Sequence, residues 1–312
     1  MTNIIRKTAL DRKMDKIMAL EQSGRAGGRL TNRTLRKIMA NRLAVLGGAL
    51  FVVICLLCFA APLFTGYSAT SISLRDRMAA PSAAHFFGTD QMGRDIWARM
   101  LYGGQISILV GLGSALGAAL IGVTLGMFVG YKGGLADQLI LKISDIFLSF
   151  PQMVLIIIIV ALVGQSLQNM IFIFILTGWP SMYRMARSKV LSLKEQEYVQ
   201  ALRAFGVSDV KIAFKHLLPN TVGPVVVNIT LSTAMFILQE ASLSVLGYGV
   251  PQEIATWGNI INVITNAGTI RYDWLGYWWM WLPCAVMLIL FVLAINFIGD
   301  GLRDASDPTQ IG

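Results

Sequence analysis

Few side chains in this 312-residue sequence have the type and spacing that chemistry requires. His85 and His216 are its only histidines. They fall on opposite sides of the apolar segments described below, so neither a histidine-based metal centre nor a Ser-His-Asp arrangement can be assembled from them. Cys55 and Cys58 have Cys-x-x-Cys spacing but lie within an apolar run, with no second pair or histidine nearby. They read as packed or lipid-facing thiols, and three cysteines are too few for a disulfide framework. No Gly-x-x-x-x-Gly-Lys-Ser/Thr stretch occurs, so the chain is not expected to bind or hydrolyse ATP. What remains are acids. Asp145, Glu240 and Asp300 lie in or at the ends of apolar segments, where an ionisable group is costly and is retained for function. Asp145 and Asp300 are close enough to segment ends for water or an arginine to satisfy them. Glu240 is the deepest, and is expected to be paired or to line a cavity. Glu240 and Asp145 are therefore the candidates for a pathway through the molecule.

The elements that must position these residues are membrane helices. Apolar residues make up 55% of the chain and charged ones 14%, against about 25% in an average soluble domain. The net charge of +9 could mark a nucleic-acid binder, but the charges sit between apolar runs and form no binding face. No nucleic-acid partner is expected. A helix needs about 20 apolar residues to cross the ~30 Å hydrocarbon core. Six segments qualify as spans: 43–63, 106–129, 139–163 with a kink at Pro151, 167–182 closed by Pro180 and Arg184, 222–246 and 277–298. The fold class is thus all-α, with six transmembrane helices. Of the 26 lysines and arginines, 21 fall on one side of these spans; only Arg75, Arg77, Arg94, Arg99 and Arg271 fall on the other. The positive-inside rule puts both termini in the cytoplasm. A polar tail precedes the first span, so no cleavable signal peptide is expected.

Two residue patterns read as structural. Trp274, Trp278, Trp279 and Trp281 cluster at the start of the last span, as an interfacial aromatic belt does. Ala118, Gly122, Gly126 and Gly130 recur every four residues in the second span, with Gly113 and Gly117 as a second row. Such stripes let helix backbones approach closely and imply a tight bundle.

The loop at 184–220 is different. Tyr198, Ala201, Leu202 and Phe205 recur at three- and four-residue spacing on one face of a short helix that Gly206 should end. Ser208 can cap a second helix, which Pro219 should interrupt before the fifth span. A short amphipathic helix between two spans is a docking element.

This loop resembles the EAA loop of binding-protein-dependent ABC importer permeases. Ala201, Gly206, Leu218 and Pro219 are in register with that pattern, while Gln200 stands for its Glu, Leu202 for its second Ala and His216 for its Ile. These departures resemble the peptide/nickel branch, whose loops read like Glu197-Tyr198-Val199, Arg203-Ala204, Gly206 and His216 to Asn220. Three further stretches are similar to the C subunits of dipeptide and oligopeptide permeases. They are His85 to Asp95, which includes Gly88, Asp90 and Arg94; Glu240 to Gly249; and Asn296 to Pro308.

The resemblance implies a type I ABC importer permease fold. It divides the chain into a cytoplasmic tail (1–42), a first helix with an extracytoplasmic loop (43–105), a five-helix core (106–300) and a C-terminal tail (301–312). It also implies a bacterial inner-membrane location and a second, homologous permease as heterodimer partner. Two cytoplasmic ATPases would carry ATP and Mg, and an extracytoplasmic binding protein would deliver the solute, with no cofactor or metal on this chain. Tyr198, Gln200, Ala201, Leu202, Arg203, Phe205, Gly206 and Pro219 would couple to the ATPases. Gly88, Asp90, Arg94 and Asp95 would touch the partner permease or the binding protein, or else form a local ion-pair cluster. Peptides are the implied cargo, with nickel complexes and glutathione as alternatives. An ATP-independent channel or secondary transporter is the competing class.

Overall fold

The structure, a computed structural model, describes residues 38–263 and 273–306. Most of the basic N-terminal tail, Arg271 and the end of the C-terminal motif therefore lie outside the described residues. Among those described, the regular structure is helical, and the one extended contact is a single bridge between Thr89 and Asp95.

Helix α1 (Arg42–Phe59) starts where Asn41 Oδ1 accepts the backbone N–H groups of Leu43 and Ala44, at 3.1 and 3.2 Å. A one-turn helix α2 (Ala61–Phe64) follows, with Pro62 in its first turn, where the missing N–H has no intrahelical partner to lose. Helix α3 (Ile96–Lys132) begins well before residue 106, where the sequence placed it. Asp95 Oδ1 caps it by accepting the Ala98 N–H at 2.7 Å, and Ile96, Met100 and Leu101 are buried. Composition disguised this first part of the helix, because Arg99, Gly103, Gly104 and Gln105 dilute its hydropathy. Its 37 residues extend about 55 Å at 1.5 Å per residue, well beyond a hydrocarbon core.

The third expected span is not a kinked helix but two helices. Helix α4 (Gly134–Ser149) and helix α5 (Gln152–Val163) meet at 92°. A residue before proline is driven out of the α region, and Phe150 is extended (φ −92°, ψ 144°) ahead of Pro151. Helix α6 (Leu167–Lys194) departs the other way. It runs straight through Pro180, which is buried within it, and continues past Arg184. The short helices α7 (Glu197–Ala204) and α8 (Asp209–Lys211) lead into a π-helical turn (Ile212–Leu217) and helix α9 (Leu218–Val245). Pro219 therefore does not interrupt the chain. The wider turn before it accommodates a residue with no N–H whose ring would crowd the carbonyl four positions back, and Asp209–Val245 is one continuous 37-residue helix. Helix α10 (Trp257–Ile261) is short and buried, and helix α11 (Leu282–Ser306) ends the described chain. Tyr277 to Trp281, expected inside the last span, form a turn ahead of it, so Asp300 lies inside the helix instead of beyond its end.

Four of these helical stretches are long and apolar enough to cross a bilayer: α1, α3, Asp209–Val245 and α11. The bent pair α4–α5 makes a fifth if it counts as one span. Helix α6 is 28 residues long but does not qualify, since Gln168, Asn169, the Thr177-to-Ser181 stretch and Arg184 lower its hydropathy. Large apolar side chains face outward, among them Leu46, Leu56, Leu120, Leu139 and Leu162, as expected where lipid is the solvent.

Helix α6 packs along α3 on the glycine stripe. A Cβ on Gly122 would lie 2.6 Å from the Trp179 carbonyl oxygen, and one on Gly126 2.7 Å from Ala186 Cβ, so neither position admits a side chain. Gly117 faces Ile175 and Gly130 faces Arg187, so the two helices run parallel. Helix α9 lies antiparallel across the same helix, with Gly111 against Ile237 and Thr221 beside Met127. The end where α3 and α6 finish carries α7, and is the loop end below. The far end holds α10 and the starts of α3 and α11. Of the two expected thiols, Cys58 is fully buried in the core with Trp257 and Cys284, and Cys55 is half-buried beside it.

Candidate functional site

Helix α7 ends in backbone geometry that a glycine makes possible. Gly206 has φ +75°; its N–H donates to the Arg203 carbonyl at 2.9 Å, and the Val207 N–H donates to the Leu202 carbonyl at 3.1 Å. Val207 and Leu202 then pack together on a core cluster that includes Tyr131, Val190, Ile212 and Leu217. The apolar face expected to point at a partner is thus divided. Val199, which the spacing did not single out, is fully buried, and Leu202 turns inward with it. Tyr198, Gln200, Ala201 and Phe205 face outward, with Phe205 75% exposed. The reason is geometric: an eight-residue helix lying on the bundle must spend one side of its apolar surface on its own chain. Arg203 also serves the chain, since its Nε donates to the Tyr131 hydroxyl at 2.8 Å. Gln200 Nε2 donates to the Glu195 carbonyl at 3.3 Å. Pro219 is exposed in the first turn of α9. Asn220 Nδ2 donates to the Tyr198 hydroxyl at 3.4 Å. Burial pushes the Tyr198 phenol above its ordinary pKa, and the Asn220 contact opposes that shift. Ser208 precedes α8 as expected, but its hydroxyl makes no capping bond.

At the far end of α9, Glu240 is fully buried. Its Oε1 accepts the Thr256 hydroxyl at 2.8 Å and the Ser244 hydroxyl at 2.9 Å. The Gly258 N–H approaches the same carboxyl group, yet Oε2 has no well-formed hydrogen bond. No cation pairs with this acid among the described residues; hydroxyls do. Thr256 caps α10 by accepting the Asn259 N–H at 3.0 Å, and Asn259 Nδ2 donates to the carbonyls of Val250, Pro251 and Ile254. Trp257 ties α10 to α3, its backbone N–H donating to Ser107 Oγ and its Nε1–H to the Met100 carbonyl, both at 3.0 Å.

The Gly88-to-Asp95 segment is a local ion-pair and capping cluster. Asp90 Oδ2 takes Arg94 Nε at 2.6 Å and lies 3.7 Å from Arg99 Nε, while Asp90 Oδ1 accepts the Met92 and Arg94 N–H groups. Asp95 caps α3, and its other oxygen is 2.9 Å from His85 Nδ1. Gly88 has φ +68°, and a Cβ there would collide with the Ala79 carbonyl oxygen and the Trp279 ring. Arg94 also reaches the Gln252 carbonyl at 3.4 Å. With Arg99 and Asn259, the cluster lines a cavity of about 110 Å³.

Asp145 is half exposed on α4 and ion-paired to Arg184 of α6. A second pair escaped the sequence reading. Asp137, in the first turn of α4, is buried and accepts Arg187 Nε at 2.7 Å, Arg187 Nη2 at 2.5 Å and the Tyr183 hydroxyl at 2.9 Å. Its only signal was a lone acid just after Gly133-Gly134, and nothing in the spacing tied it to an arginine fifty residues on.

Residues 122–311 match the family described as binding-protein-dependent transport system inner membrane component. The chain belongs to that family. Residues 30–81 of this permease also match the N-terminal TM domain of oligopeptide transport permease C. It is 38% identical over 273 residues to the dipeptide transport system permease protein DppC of Alkalihalophilus pseudofirmus, covering 88% of each chain. It is 37% identical over 272 residues to the oligopeptide transport system permease protein OppC of Bacillus subtilis, covering 87% of each. To the Bacillus subtilis DppC it is 37% identical over 280 residues, 89% of this permease and 85% of that protein. The permease is thus a multi-pass inner-membrane component of a transport system, and its family is one of membrane carriers, not of catalysts.

Proposed function

We propose that this permease forms half of the translocation pathway of an ATP-driven peptide importer. The observation that carries the reading is helix α7: one side is cemented to the bundle by Val199, Leu202 and Arg203, and the other offers Tyr198, Ala201 and Phe205 to a partner. An element meant to transmit force needs that combination of a rigid inner contact and an apolar outer one. Peptide as cargo is supported by the names of its relatives, dipeptide and oligopeptide permeases.

On this reading the α4–α5 pair and α6 complete six crossings in a type I importer permease fold, with both termini and α7 in the cytoplasm. A homologous permease is the heterodimer partner. Two ATPases bind ATP and Mg and dock under α7, and an extracytoplasmic protein delivers the peptide. Glu240 and the Asp90–Arg94 cluster then lie toward the outside. The 92° break between α4 and α5 is the one feature favouring an ATP-independent secondary transporter, a class that uses broken helices at the membrane midplane.

The test is purification of the tagged permease from native membranes in mild detergent, with mass spectrometry of what accompanies it. A second permease and ATPase chains are expected, followed by ATP-dependent uptake of a radiolabelled dipeptide after reconstitution. Recovery of the chain without any ATPase would sink the reading.

A further inference from the structure

We propose that Glu240 is a positioning residue that fastens the buried helix α10 to the far end of the helix that starts at the docking loop, so that movement of the loop is carried across the membrane to the outer cluster. This rests on the importer reading above.

The argument begins with continuity. Asp209–Val245 is a single helix, so Glu240 sits about 45 Å along it from Asp209 at 1.5 Å per residue. Val207, just ahead of that stretch, and Ile212, near its start, share the core cluster that holds α7. A displacement of α7 therefore reaches α9 through packed side chains. A fully buried carboxyl group is an expensive way to fill space, and among the described residues no cation pairs with Glu240. What its Oε1 holds is the capping threonine of α10, at 2.8 Å, and a serine of its own helix. Close packing at Gly258 makes the joint tight: a Cβ there would lie 2.7 Å from Ala241 Cα and 2.9 Å from Ser244 Cβ.

Helix α10 in turn organises the far end. Asn259 holds the 250–254 turn by three side-chain bonds, and the Gln252 carbonyl of that turn takes Arg94 of the outer cluster. Unbroken contact thus runs from α7 along α9, through Glu240 and Thr256, to Arg94 and Asp90. The Thr256 hydroxyl on Glu240 Oε1 is the best-formed bond by which a side chain of α9 grips α10, so it is where coupling should be most easily cut.

The experiment uses the importer purified with its ATPases in proteoliposomes, with a spin label on Glu253→Cys and the native cysteines replaced by serine. Glu253 is exposed beside α10 and lines the open outer groove with Tyr67 and Tyr102. ATP with vanadate should shift the label's spectrum in the parent chain. In Glu240→Ala and in Thr256→Val the shift should fall about ten-fold, the order set by the one buried hydrogen bond that both variants remove. The double variant should be no worse than either, ATP hydrolysis should persist, and Glu240→Gln, which keeps the oxygen that accepts Thr256, should restore the shift. A full shift in both single variants, or additive losses in the double, would overturn the proposal. A purely structural role would instead lower hydrolysis and assembly together with the shift, and that result also overturns it. If the parent chain shows no ATPase or no ATP-driven shift, the importer reading falls first and this proposal with it.

Discussion

The guanidinium of Arg203 lies 4.9 Å from the centre of the Tyr131 ring while its Nε donates to that ring's hydroxyl at 2.8 Å. One side chain of α7 thereby grips the end of α3 twice, through the ring's face and through its oxygen. Lys194 lies over the same ring at 5.7 Å. The tyrosine is itself nearly inaccessible, at 2% exposure, so it is a rigid anchor.

Replacing Arg203 by Ala should therefore loosen α7 without disturbing the spans. The contact is partly solvated, so its loss is expected to cost about 1 kcal/mol locally. Hydrogen exchange should accelerate across residues 197–207 and stay unchanged in α3 and α9. Tyr131→Phe keeps the ring and loses the hydroxyl, and should give a smaller increase. Equal protection in the parent and Arg203→Ala chains would show that apolar packing alone holds the helix.

At Gly206 the cost is conformational and not steric. A Cβ there would meet nothing within 4 Å, but φ is +75°. Gly206→Ala should destabilise the α7 terminus by about 1 kcal/mol, and Gly206→Asn by less, because Asn tolerates the left-handed region. In reconstituted importer, Gly206→Asp should lower uptake per ATP hydrolysed while leaving membrane insertion intact. Unchanged uptake would remove Gly206 from the coupling machinery.

These residues show how far the sequence reaches. Apolar length and charge distribution disclosed a multi-span membrane protein, and spacing disclosed α7, because both are local properties. Which side of α7 faces out was not local. Leu202 turns inward because Tyr131 and Leu217, distant in sequence, offer it a core. Proline misled in both directions: Pro151 breaks its segment through 92°, while Pro180 sits inside an unbroken helix. The packing around each proline decides between these outcomes, and that packing comes from other helices. Glu240 stood out as a deep acid, but its partner Thr256 could not be inferred from a loop with no periodicity.

The glycine stripe gives a paired prediction with its own control. Gly126 lies against α6, where a Cβ would be 2.7 Å from Ala186 Cβ and 2.8 Å from the Tyr183 carbonyl, whereas a Cβ on Gly113 would meet nothing within 4 Å. Gly126→Leu should force α3 and α6 apart and cost about 3 kcal/mol or more, the upper range for overpacking. A lowered melting temperature in detergent and reduced yield of assembled protein are expected. Gly113→Leu should leave the chain's own fold intact. Similar melting of the two variants would mean that the α3–α6 approach is not what the stripe maintains.

The two ion pairs that hold α4 against α6 should differ sharply when broken. Asp137 and Arg187 are 8% and 23% exposed as side chains, whereas Asp145 and Arg184 are 53% and 46% exposed. Asp137→Asn leaves Arg187 and the buried Tyr183 hydroxyl without a charged partner, and should cost about 2 kcal/mol, below the range for a fully buried pair because Arg187 still reaches solvent. Asp145→Asn should cost about 0.5 kcal/mol or less, since water screens that pair. The contrast reaches beyond stability. Helix α4 is bounded by Gly133 and Gly134, both at positive φ with open space around them, and by the break at Pro151. Freed from Asp137 it has few other contacts to hold it, and a spin label on the exposed Leu139 should gain mobility in Asp137→Asn and not in Asp145→Asn. Equal mobility in both variants would show that α4 is held by its apolar contacts and that the buried pair merely fills the joint.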